Sequence, residues 1–170
     1  MKWSVQQLLA NKGKGLHIDQ FVNMEEVRKI DREIREISPI KVVGDAYFSN
    51  TAVTFQLTIE GTMTLPCART LNDVEFPFTI DATEIFQLDQ WATFENDEDV
   101  HVVKDNTVDL LPYVRERILL EKPLRVFSDK DEGAAPASGN GWELHTKEEE
   151  EQEKVDPRLQ ELAKFFDKEK

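Results

Sequence analysis

The sequence predicts an α+β fold, an antiparallel β-meander or half-open barrel packed by a capping helix and N-terminal helical segments, followed by a flexible acidic linker and a C-terminal helix. Three observations carry this. Val53, Phe55, Leu57 and Ile59 alternate with Thr54, Gln56, Thr58 and Glu60, the period-two pattern of a strand with one face buried. Val74, Phe76, Phe78 and Ile80 repeat the device. Leu110, Leu111, Val114, Ile118 and Leu119 switch to the three-to-four spacing of an amphipathic helix.

Along the chain, Ser4 is a candidate N-cap for a short helix that Gly13 and Gly15 end. Leu16, Ile18 and Phe21 suggest an extended piece, and Val27, Ile30, Ile34 and Ile37 give Met24 to Ile37 the spacing of an amphipathic helix among charges. From Ile40 onward, strands over Ile40 to Phe48, Thr51 to Glu60 and Thr62 to Cys67 form a meander, with turns at Ser49-Asn50 and Glu60-Gly61. Pro77 lacks an amide donor, so its strand is predicted to lie at an edge or to bulge there. The acidic run from Glu95 to Asp99 reads as a surface loop before a short strand at Val100 to Val103. Asp109 opens the capping helix and Pro123 marks its end.

These readings divide the chain into a globular domain over 1–127, a linker over 128–155 and a terminal helix over 156–170. The linker is rich in Gly, Ala, Ser, Pro and charge, too little apolar surface to offset chain ordering. Asp156-Pro157 is an N-cap followed by the favoured first-turn proline, and Leu159, Leu162, Phe165 and Phe166 supply an apolar stripe.

Composition narrows the function classes. The formal charge of −13 repels a phosphate backbone at long range, so any nucleic-acid contact has to be local. Residues 129–170, about a quarter of the chain, hold nearly half of that excess. No apolar run approaches the roughly 18 residues of a membrane span, and Gln6 and Gln7 interrupt what would otherwise be an export segment, which together predict a cytoplasmic protein without membrane contact. Cys67 is the single cysteine; it cannot form an internal disulfide or a thiolate cluster for zinc, and it reads as a small buried hydrophobe. His17, His101 and His145 are scattered without ligand spacing, and Gly13-Lys14-Gly15 lacks the setting of a phosphate-cradling loop. Carboxylate pairs can be drawn from Glu60, Glu75, Asp81 and Glu84, but among 34 acids such coincidences are unavoidable. The expectation is a protein without catalytic residues, metal or cofactor.

The best local basic feature is Arg115, Arg117, Lys122 and Arg125 on and after the capping helix, although Glu116 and Glu121 dilute it and Arg117 can pair with Glu121 four residues on. Gly61-Thr62-Met63-Thr64-Leu65-Pro66-Cys67-Ala68-Arg69-Thr70-Leu71 resembles the C-x-R-C-L segment of the YceD family, the large ribosomal RNA subunit accumulation proteins, with Thr70 in place of the second cysteine. Val108-Asp109-Leu110-Leu111, Leu119-Leu120-Glu121-Lys122-Pro123 and Asp156-Pro157-Arg158-Leu159 are similar to later segments of that family, in the same order. Many of its members carry a cysteine cluster before the terminal helix; Ser128 to Gly141 contains none, so zinc binding does not transfer.

The resemblance implies a non-enzymatic accessory role in accumulation of 23S rRNA or assembly of the pre-ribosomal large subunit. Two mechanisms follow. Arg69, Arg115, Arg117, Lys122 and Arg125 contact rRNA phosphate, or the acidic chain and its tethered Phe165 and Phe166 act as an adaptor for a basic large-subunit ribosomal protein.

Overall fold

In the computed structural model the described residues are 1–88, 100–103, 105–129, 136 and 138–143. They belong to two compact units, 1–134 and 135–170.

The first unit opens with a short strand β1 (Lys2–Ser4) and helix α1 (Val5–Asn11). Ser4 caps the helix reciprocally: its Oγ accepts from Gln7 N while Gln7 Oε1 accepts from Ser4 N, so two amides that a helix start leaves orphaned are satisfied. Strand β2 (Leu16–Val22) follows, then a single turn of helix, α2 (Val27–Ile30), and a two-residue strand β3 (Glu36–Ile37). Strands β4 (Ile40–Phe48), β5 (Ala52–Pro66), β6 (Asp73–Gln87) and β7 (Val100–Val102) complete the main sheet, and β8 (Thr107–Asp109) leads into helix α3 (Leu111–Glu121).

The main sheet runs β2-β4-β5-β6-β7, antiparallel except for the parallel β6/β7 pair, with β3 on the same edge of β5 beyond the end of β4. It is an open sheet and not a closed barrel. β1 pairs with β8 and brings the first residues against the start of α3. One sheet face is apolar: Val42, Phe55, Leu57, Ile59, Met63 and Phe86 are buried there, joined by Leu8 from α1 and Val114 and Ile118 from α3. Phe55 is the centre of this packing, stacked on Trp3 and meeting Phe86 edge-on, each at 5.8 Å between centroids.

Two expectations need correction. Glu60-Gly61 is not a turn. β5 is one continuous strand, and Gly61 sits inside it because Ile40 Cδ1 and the Phe78 ring occupy the space a side chain would need; a Cβ there would lie 2.4 Å from Ile40 Cδ1. The helix expected over Met24 to Ile37 shrinks to α2. Asp31 leaves the helical region, its Oδ1 accepts from Glu33 N, and Arg35 N then donates to Thr64 O, so pairing with β5 outcompetes a helix already weakened by β-branched residues. Pro77 is paired with Thr62 on the β5 side, while among the described residues β7 covers only Ile85 to Gln87 on the other, so within that set Pro77 lies along an edge stretch of β6.

In the second unit, β9 (Ser138–Gly139) and β10 (Trp142–Glu143) form a hairpin around Asn140 and Gly141, within the stretch expected to be a linker. Gly141 takes φ +85°, a conformation open to glycine at little cost. The terminal helix expected over 156–170, with Phe165 and Phe166, lies outside the described residues.

Candidate functional site

Helix α3 aims its cations inward at carboxylates. Arg115 Nη1 lies 3.3 Å from Glu26 Oε2, just ahead of α2. Arg117 Nε donates to Glu84 Oε1 at 2.7 Å, and the other oxygen of this buried carboxylate is 2.7 Å from His101 Nε2. The His101 ring is in turn held between Phe86 and Tyr113. Lys122 Nζ sits 2.6 Å from Asp31 Oδ2 and 2.5 Å from Glu33 Oε2. The ammonium beside it holds the Asp31 carboxyl below its usual range; burial works against the Lys122 charge, yet the two carboxylates keep its pKa raised. Arg125 is exposed past the helix, and Arg69 is half-buried in the 67–72 turn. The five predicted cations therefore do not form one free patch, since Arg115, Arg117 and Lys122 face acids of their own chain.

What this pairing leaves behind is a basic surface that the sequence reading missed. Residues 25–35 contain four acids, Glu25, Glu26, Asp31 and Glu33, against four bases, Arg28, Lys29, Arg32 and Arg35, and look neutral as a string. In space they are sorted. Arg115 and Lys122 meet Glu26, Asp31 and Glu33, while Arg28, Lys29, Arg32 and Arg35 are exposed and line an open concavity of about 550 Å³ floored by Ile34 and bordered by Glu25. Arg35 also contacts Asp73 at the start of β6. Arg115 and Lys122 offset two of those three negative charges and Arg35 meets Asp73, so Arg28, Lys29 and Arg32 leave a modest local excess of positive charge on a strongly acidic protein. A four-residue helix is too short to hold its shape alone. Its order comes from buried Val27 and from the α3 cations that grip the segment at Glu26 and again at Asp31 and Glu33.

Cys67 is buried as expected, but its sulfur is a hydrogen-bond hub. Sγ accepts from the backbone N–H of Arg69 and Thr70 at 3.4 Å each and of Ser128 at 3.3 Å, so it fastens the 67–72 turn to the segment following α3. Burial opposes ionisation of the thiol, yet the Thr70 hydroxyl and these amides outweigh it and bring the pKa from 9.0 down to about 6. A lowered acid pKa adds stability that is complete above the unfolded value and vanishes as pH falls through the folded one. The stability gap between the wild-type protein and Cys67→Ala is thus expected to widen from pH 6 toward pH 9 in urea titrations, and a gap that stays constant refutes a thiolate role.

Among the described residues no three His, Cys, Asp or Glu side chains converge as a metal site would require, and no helix is long and apolar enough to cross a membrane. His17 and Asp45 pair at 2.8 Å on the exposed outer face of the sheet.

Comparison with known proteins points the same way as the sequence motifs. The family model described as "Large ribosomal RNA subunit accumulation protein YceD" matches residues 55–166. A protein of Bacillus subtilis (strain 168) named "Uncharacterized protein YlbN" is 42% identical over 168 residues, covering 98% of this chain and 96% of its own. No solved structure gives a significant match.

Proposed function

Since the chain belongs to the YceD family of large ribosomal RNA subunit accumulation proteins, we propose that it supports accumulation of 23S rRNA without catalysis, by holding RNA backbone phosphate on the α2 cradle. The observation that supports this reading is the exposed set Arg28, Lys29, Arg32 and Arg35, presented on a chain whose net charge otherwise opposes RNA. Guanidinium groups fork onto phosphate oxygens in pairs, and three of these four side chains are arginines. A cytoplasmic location goes with this role.

Depletion of the protein is expected to reduce 23S rRNA selectively, leaving 16S rRNA and the small-subunit peak of a sucrose gradient unchanged. Complementation with the wild-type gene restores the large subunit, whereas Arg28→Glu/Arg32→Glu does not, and RNA affinity of that variant falls by more than about tenfold because two attractions become repulsions. Full rescue by the double variant eliminates the cradle from the mechanism.

A second reading is favoured by the outer face of the sheet, where Asp45, Glu60, Glu75 and Asp81 are exposed among threonines. This face complements a basic large-subunit ribosomal protein. Loss of rescue on neutralising these acids, together with full rescue by Arg28→Glu/Arg32→Glu, selects the adaptor.

A further inference from the structure

We infer that the cradle is a site for double-helical RNA, read through its phosphates and not through its bases; the inference rests on the RNA-binding reading above. Proteins that grip single-stranded RNA combine cations with aromatic platforms on which unstacked bases lie. The described residues lining the cradle are Glu25, Arg28, Lys29, Arg32, Ile34 and Arg35, with no ring among them. Cations without a stacking surface recognise backbone, and backbone contacts fix register while carrying little sequence information.

Rigidity points to the same ligand. The cradle is fixed from behind by Lys122 on Asp31 and Glu33, by Arg115 on Glu26, and by Arg35 N donating to Thr64 O of β5. A-form helix presents its phosphates in a fixed array across the grooves, so a preset group of cations meets it with little ordering cost. A single strand has to be ordered at the moment of binding, with no base stacking to offset that loss. The acids of the outer sheet face, Asp45, Glu60 and Asp81, repel the same array and leave the α2 side to approach it.

The test uses the full chain and two labelled RNAs of equal phosphate number, a hairpin with a two-turn stem and an unstructured oligouridine, followed by fluorescence anisotropy across a salt series. The hairpin is expected to bind at least about tenfold tighter, with no change when the stem sequence is scrambled, and Arg32→Ala is expected to lower the slope of log K against log salt by about one. Equal or tighter binding of oligouridine overturns the duplex inference and leaves the RNA-binding reading standing. Failure of both RNAs to bind at low salt overturns both.

Discussion

Arg117→Ala is expected to lower the free energy of unfolding by about 3 kcal/mol or more, while Arg115→Ala, two residues away on the same helix, costs less than about 1 kcal/mol. The difference lies in the partners. Arg115 meets Glu26, a carboxylate whose side chain is 73% exposed and which water can solvate as soon as the guanidinium is removed. Arg117 meets Glu84, whose side chain is 3% exposed, on β6 beneath α3. Without Arg117 that carboxylate keeps His101, and the desolvation already suffered by its charge loses its main compensation. Urea unfolding of the two variants reads the contrast directly. Arg117→Met combined with Glu84→Leu is expected to recover most of the loss, because an apolar pair of similar volume removes the buried charge altogether. Equal costs for the two single variants contradict this assignment.

Lys122→Glu is expected to reduce RNA affinity by more than about tenfold through the segment it braces, since its ammonium is engaged by Asp31 and Glu33. The substitution sets a third carboxylate against Asp31 and Glu33, which repel it, loosening the loop that carries Arg32 and returning uncompensated negative charge to the cradle's flank. On the proposed mechanism Lys122 acts as a positioning residue, and two measurements separate that role from direct contact. Lys122→Met weakens binding without altering the salt slope, whereas Arg32→Ala lowers the slope by about one. Adding Asp31→Asn and Glu33→Gln to Lys122→Met restores affinity, since the ammonium is then no longer needed. A reduced slope for Lys122→Met, or no rescue, places Lys122 on the RNA.

The sign of the pH dependence follows from the same brace. Asp31 titrates below its ordinary 3.8, so its contribution is present above that value and is lost as pH falls through the lowered one. Lys122 titrates above its ordinary 10.5, so its contribution is present below that value and is lost as pH rises through the raised one. Between these limits the brace is intact, and RNA binding is expected to owe nothing to its titration near neutrality.

Much of the scaffold was legible because alternation and capping are local signals. Ser4 announced α1, Ile40 to Phe48 matched β4 at both ends, and Asp109 with Leu110 to Leu119 located α3, where Asp109 Oδ1 accepts from Leu111 N. Misreadings arose where tertiary contact overrode local pattern. Gly61 looked like a turn residue, but the reason for glycine there is the approach of Ile40 and Phe78, residues far from it in sequence. Ile30, Ile34 and Ile37 kept helical spacing, yet Ile34 is buried beyond the end of α2 and Ile37 pairs with Met63 in the sheet.

The basic site was hidden for an electrostatic reason. Cations are least diluted in sequence on and just after α3, yet Arg115, Arg117 and Lys122 each meet a carboxylate of the same chain. The segment that presents Arg28, Lys29 and Arg32 mixes acids with bases, and only the fold shows that Glu26, Asp31 and Glu33 are partly offset by Arg115 and Lys122, about ninety residues later in the chain. The family motif surrounding Cys67 and Arg69 was readable, but the role of the sulfur as acceptor for three amides was not, because Ser128 reaches it only through the return of the chain after α3.

The paired arms β5 and β6 match residue for residue from Pro66 and Asp73 beside the 67–72 turn to Ala52 and Gln87 at the far end. Cys67 N donates to Asn72 O and Leu71 N to Cys67 O, so the closure between the arms is made within a few residues. Such a ribbon zips from its bend outward, each rung shortening the loop that the next must close, whereas β2 and α3 join only by spanning long stretches of chain. β5 and β6 are therefore expected to pair ahead of the rest of the sheet, and the basic surface to take its final shape only when the end of α3 brings Lys122 against Asp31.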